Sequence, residues 1–134
     1  MKFITLSISF ILLCFIAQSQ NLVGFKGKEI RKYMKENHSE MNYNKVVNNK
    51  FSYLKYSDNS ENQTMLFFLN RDSVCNEVRI TCDPGLKQQK IKEFDSRFKK
   101  DGEYGWIEKR DGRNYRILME DGKWSFVISI EPEK

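Results

Sequence analysis

The sequence predicts an α+β fold with two helices packed on one face of an antiparallel sheet of about six strands. Three observations predict it. Apolar residues recur at helical spacing in two segments, short runs rich in apolar and aromatic residues occur in six others, and turn-forming residues separate these runs. The predicted order is α-β-β-β-α-β-β-β, in which the second half repeats the first.

The first 20 residues have the pattern of a secretory signal peptide. Lys2 precedes an apolar run over residues 4–17, and the small residues Ala17 and Ser19 suit a cleavage site. The run is shorter than the ~20 residues of a membrane-spanning helix. We therefore expect a secreted or periplasmic protein with residues 1–20 removed, residues 21–134 forming a single α+β domain, and no transmembrane segment after cleavage. An uncleaved anchor or a buried helix is the alternative.

Two segments predict helices. In the first, residues 27–36, Ile30, Tyr33 and Met34 share one face and the remaining positions are mostly charged. The second begins at Asp83-Pro84, because Asp suits the N-cap and Pro the first helical position. Its apolar stripe continues to about residue 100 and consists of Ile91, Phe94 and Phe98.

Three predicted strands follow each helix. Asp-Gly pairs at 111–112 and 121–122 separate the last three, and this dipeptide between apolar runs is a strong hairpin signal because tight turns need positive φ. The asparagine-rich residues 37–49 are predicted as a loop. The strands are predicted at residues 51–56, 64–69, 74–82, 104–109, 115–119 and 124–130.

The two halves also share a residue pattern. Phe51-x-Tyr53-Leu54 before Asp58-Asn59 parallels Tyr104-x-Trp106-Ile107 before Asp111-Gly112, at a shift of 53 residues. The layout resembles small secreted proteins built from helix-plus-meander units, such as the protein-type β-lactamase inhibitors. The resemblance is one of architecture, with no shared motif, and it implies no site residues.

Cys75 and Cys82 are the only cysteines outside the predicted signal peptide. Seven residues of straight strand span ~23 Å, whereas a disulfide needs Cα atoms within roughly 7 Å. A continuous strand therefore predicts free thiols, with Cys82 in the core and Cys75 partly exposed on the opposite face. An oxidising compartment favours the alternative, a disulfide with a sharp bend near residues 76–78.

Residues for catalysis are sparse. His38 is the single histidine and lies in a polar segment, so no Ser-His-Asp set, Cys-His pair or three-ligand zinc site can be assembled around it from neighbouring residues. Turn formation already accounts for Asp111 and Asp121. We therefore predict no enzyme activity, no catalytic residues, no cofactor and no metal site.

Charge indicates which partners are compatible with the chain. The full sequence carries a formal net charge of +5, and the predicted compartment and absence of a binding motif argue against nucleic acid. A basic outer helix surface is ordinarily a solvated face, and contact with an anionic surface is the alternative. Its members are Lys28, Arg31, Lys32, Lys35, Lys87, Lys90, Arg97, Lys99 and Lys100.

Aromatic residues give the candidate binding surface. Packing in the core explains many of them, but a strip on the open sheet face could hold a peptide or a sugar. The favoured function is a non-enzymatic domain that binds or inhibits a protein partner through its sheet face or hairpin tips. A carbohydrate- or small-ligand-binding protein is the alternative. The candidate residues are Tyr53, Tyr56, Tyr104, Trp106, Tyr115 and Trp124.

Overall fold

A computed structural model describes residues 21–47, 52–60 and 62–134. These residues form an α+β fold with one antiparallel sheet and two α-helices. The predicted signal peptide, residues 1–20, lies outside the described residues. In the part of the chain that is described, no helix is long and apolar enough to cross a membrane.

The sheet has eight strands rather than about six, in the order β1-β2-β3-β4-β8-β7-β6-β5. A short 3-10 turn at Pro84–Leu86 precedes the second helix. The elements are α1 Gly27–Asn37, β1 Asn42–Val47, β2 Ser52–Ser57, β3 Gln63–Leu69, β4 Cys75–Cys82, α2 Lys87–Arg97, β5 Lys99–Lys100, β6 Gly105–Arg110, β7 Arg113–Asp121 and β8 Phe126–Pro132.

The two additional strands lie at the sheet edges, where the sequence pattern is weak. Strand β1 occupies part of the predicted loop 37–49, and its Tyr43 lies opposite Tyr56 of β2 with ring centroids 5.2 Å apart. Strand β5 forms because α2 ends at Arg97 and Phe98 is extended, which leaves Lys99 and Lys100 to pair with β6. The element order is therefore a helix and four strands, twice.

The strand order is symmetric about the central β4–β8 pair. Each half forms its own antiparallel meander, and the fourth strands of the two halves pair with each other. The helices cover one face of the sheet. Residues from both helices and from the inward positions of β2–β4 and β6–β8 form a single apolar core, so neither of the two described helices covers the opposite face.

The two Asp-Gly pairs form different connections. Asp111 and Gly112 have φ values of 51° and 75°, as the predicted two-residue hairpin requires. The second pair also lies at the predicted hairpin, but the turn is longer than a tight one, because Asp121 lies opposite Phe126 and the loop has four residues, Gly122–Ser125. Trp124 therefore lies in this loop and not in β8.

Both cysteines are free and buried. The prediction that Cys75 is partly exposed is wrong, since only 1% of its surface is accessible. Glu77 lies opposite Phe68, but Cys75 lies opposite Leu69, so Asn76 is an extra residue in a β-bulge. The bulge turns Cys75 to the same face of the sheet as Cys82.

Arg110 attaches the segment before α1 to the sheet. Its guanidinium donates hydrogen bonds to the carbonyl oxygens of Asn21 and Val23, and to the Tyr115 hydroxyl at 3.0 Å. The backbone N–H of Cys75 donates to the carbonyl of Phe25 at 2.8 Å. The segment thus connects the β6–β7 hairpin with the start of β4.

Phe94 is the fully buried residue of α2, and its ring meets the Trp106 ring edge-on at a centroid distance of 5.2 Å. We predict that Phe94→Ala lowers the free energy of unfolding by about 3–5 kcal/mol, because it removes a large ring and leaves a cavity. Urea unfolding of wild type and variant measures the loss. Gln88→Ala, an exposed change on the same helix, should stay within about 0.5 kcal/mol. Equal effects of the two substitutions would contradict the position of α2.

Candidate functional site

The six candidate aromatic residues do not form one surface. Tyr56, Trp106 and Tyr115 are buried on the helix-covered face, so their assignment to the binding surface is corrected. Tyr53 is half-buried on the open face. Tyr104 and Trp124 are 40% and 81% exposed. Strand register explains the division, because it places the three buried rings opposite inward-facing positions of neighbouring strands.

The buried rings have structural partners. The indole N–H of Trp106 donates to the Asp95 carboxylate of α2 at 2.8 Å. This hydrogen bond is the main cause that lowers the pKa of Asp95 below its ordinary value. The Tyr115 hydroxyl accepts a hydrogen bond from Arg110. Trp106 and Tyr115 therefore fasten a helix and the N-terminal segment to the sheet.

The loop between β7 and β8 presents the most exposed large apolar side chain, Trp124. Within the loop, the backbone N–H of Gly122 donates to the Ser125 carbonyl at 2.7 Å. At its base, the Lys87 ammonium contacts both carboxylate oxygens of Asp121 at 2.8 Å. We call this loop and its base the Trp124 tip, comprising Lys87, Tyr104 and residues 121–125.

Lys87 connects the Trp124 tip with the second helix. Its ammonium lies 4.6 Å from the centroid of the Tyr104 ring, a geometry of cation–π attraction. The hydrogen bond to Asp121 is the main cause that raises the pKa of Lys87 above its ordinary value, so the ammonium form is favoured. Lys87 thus holds Tyr104 and the base of the loop beside the start of α2.

Half-buried aromatic residues also lie on the open face of the sheet. The rings of Tyr53 and Phe68 have centroids 5.7 Å apart. The Arg79 guanidinium lies 5.3 Å from the Phe68 centroid and donates from Nε to Glu77 at 2.8 Å. Phe68 was not among the predicted candidates. It lies in the dense apolar run 64–69 with apolar neighbours on both sides, a pattern typical of a strand that makes contacts on both faces.

A shallow groove of about 550 Å³ crosses β4, β8 and β7 on this open face. It begins at Glu77 and Arg79 and ends at Asp121 and Gly122, where the Trp124 tip starts. Four carboxylates and one guanidinium line it. Its lining residues are Glu77, Arg79, Leu118, Glu120, Asp121, Gly122, Val127, Ser129 and Glu131.

Groups that could support catalysis are dispersed. His38 is half-buried, and its Nδ1 lies 3.3 Å from the Glu40 carboxylate. Within residues 21–47, 52–60 and 62–134, no three His, Cys, Asp or Glu side chains come together as a metal site. Burial raises the pKa of Cys75 to about 12 and that of Cys82 to about 11. Both thiols therefore stay protonated and unreactive at neutral pH.

Comparisons of the chain with protein-family models, curated proteins and solved structures give no match. The candidate site therefore consists of the Trp124 tip and the adjoining groove, as geometry alone defines them. Sequence reasoning identified Tyr104 and Trp124 but missed the groove, because its residues come from three strands whose adjacency depends on the β4–β8 pairing.

We predict that, in folded protein prepared without residues 1–20, neither Cys75 nor Cys82 reacts with a water-soluble disulfide reagent at pH 8, whereas the denatured chain exposes two thiols. Burial is the physical reason, and absorbance of the released thiolate measures the reaction. Denatured protein without free thiols would instead indicate a disulfide.

The same burial predicts lower stability in alkali. In the unfolded chain the thiols deprotonate near their ordinary pKa of 9.0, but in the folded protein they remain protonated to about 11 and 12. Their contribution to stability is thus fully present below about pH 9 and is lost as the pH rises through the folded-state values. Urea unfolding midpoints between pH 7 and 11 measure this. The Cys75→Ala variant should lose less of its stability over this range than wild type, and an identical loss would contradict the assignment to the thiols.

Proposed function

We propose that this protein is a secreted or periplasmic non-enzymatic domain that binds a protein partner through the Trp124 tip and the adjoining open-face groove. The observation that carries the proposal is the 81% exposure of Trp124 at the end of a braced loop. An indole in water leaves a large apolar surface uncovered, and tryptophan is among the residues most enriched at the energetic centres of protein interfaces.

Interactions within the free protein already hold the base of the loop in place. The Gly122–Ser125 hydrogen bond and the Lys87–Asp121 ion pair hold its base. Binding therefore orders few additional side chains, which reduces the entropic cost of association. Tyr104 offers a second, partly exposed ring beside the loop base.

The charge of the groove indicates the chemistry of the partner. Its four carboxylates include Asp121, which already contacts Lys87, and Glu77, which already contacts Arg79. Glu120 and Glu131 make no ion pair within the described residues, so they can contact cationic side chains of a partner. We infer that the partner presents lysine or arginine next to an apolar pocket for the indole, since complementary charge sets orientation and association rate.

A carbohydrate- or small-ligand-binding role is the second candidate function. A sugar platform needs several exposed rings side by side, and three of the six candidate rings are buried, which favours the protein partner. The alternative that α2 contacts an anionic surface is less favoured, because carboxylates already pair with its cations. Lys90 and Arg97 both contact Glu93, and Lys100, just after the helix, contacts Asp95.

We predict that Trp124→Ala weakens binding to the partner about 30-fold or more, equivalent to the ~2 kcal/mol that defines an interface hot spot. The partner is first recovered from the native secreted fraction on immobilised protein and purified. Titration calorimetry then compares wild type, Trp124→Ala and Tyr43→Ala, a control that removes a 39%-exposed ring at the other end of the sheet. Equal affinity of wild type and Trp124→Ala would contradict the proposal. Sedimentation of the protein alone tests for self-association, which would be a different use of the Trp124 tip.

We also predict that the double variant Glu120→Gln/Glu131→Gln slows association with the same partner and reduces its dependence on salt. Both carboxylates contribute to long-range attraction of a cationic surface. Stopped-flow association rates at low and high ionic strength measure the effect, and Glu29→Gln/Glu36→Gln on α1 is the control of equal charge change. A larger effect of the α1 control would contradict a role for the groove.

A further inference from the structure

A second concave site lies between α1 and the paired strands β1 and β2. It is a cleft of about 350 Å³, within the range of small-molecule sites. Strands β7 and β8, which flank Trp124, are four and three positions from β2 in the sheet. The cleft is thus separate from the proposed partner surface. Its lining residues are Arg31, Met34, Lys35, His38, Ser39, Met41, Tyr43 and Tyr56.

The inner wall of the cleft is apolar. Met34 and Tyr56 are buried, and Met41 is partly buried against the core. The Tyr43 ring lies over Tyr56 at a centroid distance of 5.2 Å and is 39% exposed, so it forms part of the entrance. Methionine side chains adapt to the shape of an apolar occupant, because they are unbranched and polarisable.

The rim of the cleft is cationic. Arg31 and Lys35 lie one helical turn apart on α1, a spacing that places both on the same side of the helix. Of the described residues that line the cleft, none is acidic. Within the described part of the chain, no carboxylate comes within 4.0 Å of either cation, in contrast to the paired cations of α2.

Two further groups contribute polar contacts at the cleft. The hydroxyl of Tyr56 is protonated at physiological pH, as tyrosine hydroxyls ordinarily are, and burial raises the pKa of Tyr56 further, to about 12. It can therefore donate a hydrogen bond. The Ser39 hydroxyl is exposed at the rim. An apolar wall, a neutral donor and two uncompensated cations together favour a ligand with an apolar body and an anionic head.

We propose that this cleft binds a small amphipathic carboxylate, with its hydrocarbon body against Met34, Met41 and Tyr43 and its carboxylate between Arg31 and Lys35. Arginine can bind a carboxylate through two parallel N–H donors, and lysine adds a compact charge. Each methylene buried in the cleft raises the affinity about fourfold, so a medium-length chain gains most of its affinity from the apolar wall.

The probe for this proposal is decanoate, added to the purified, processed protein. Titration followed by ¹H–¹⁵N NMR should show saturable binding with shifts centred on α1 and β1–β2. Arg31→Gln/Lys35→Gln should weaken binding about tenfold or more, as the loss of charge-assisted hydrogen bonds implies. The matched variant Lys28→Gln/Lys32→Gln removes the same charge from exposed positions of the same helix and should bind within about twofold of wild type.

Two control ligands test separately how much the carboxylate and the hydrocarbon chain contribute to the affinity. Decanol has the same chain without the charge, and acetate has the charge without the chain. Both should bind about tenfold or more weakly than decanoate. Tyr43→Ala, which removes the ring at the entrance and keeps the buried Tyr56, should also weaken decanoate binding while leaving the affinity for the protein partner unchanged.

Four results would overturn the proposal, and the first three concern the ligands and variants compared above. These are equal binding of decanoate and decanol, equal losses in the two double variants, or shifts centred away from the cleft. The absence of saturable decanoate binding below its micelle concentration would overturn it as well. Circular dichroism confirms the fold of each variant, and Trp124→Ala, which leaves the cleft untouched, should bind decanoate as wild type does.

Discussion

The β4–β8 pairing is the constraint on which the rest of the structure depends. It is the one described strand pair that joins the two halves of the chain, with Ile80 opposite Ile128 and Val78 opposite Ile130. The other described pairs join strands that are consecutive in sequence. Closing the long connection between β4 and β8 costs chain entropy, and the buried aliphatic side chains of both strands offset that cost.

The difference between the helix-covered face and the open face of the sheet follows from this register. Because side chains alternate along a strand, one residue of slip in β8 would exchange Ile128 and Ile130 for Val127 and Ser129 on the helix-covered face. The same slip would remove Val127, Ser129 and Glu131 from the open-face groove. The apolar core and the proposed partner surface therefore depend on a single alignment of two strands.

Local signals in the sequence were sufficient for both helices, for six strands and for the Asp111-Gly112 hairpin. They failed where a partner outside the segment decides the structure. Tyr43 joins β1 because Tyr56 lies beside it, and Cys75 turns inward because Asn76 bulges. Tyr104 and Trp124 were recognised as candidate residues from type alone. The groove and the cleft could not be predicted, since each is assembled from elements that approach one another only in the folded chain.

The two proposed sites lie on different parts of one scaffold, and the central pairing joins the half of the chain that carries the cleft to the half that carries the Trp124 tip. The measurement that tests this account most directly is a set of inter-strand nuclear Overhauser effects in the folded protein. We expect contacts that link Ile80 with Ile128 and Thr81 with Val127, as the register requires. Contacts displaced by one residue, or none between β4 and β8, would contradict the single sheet and the surfaces that depend on it.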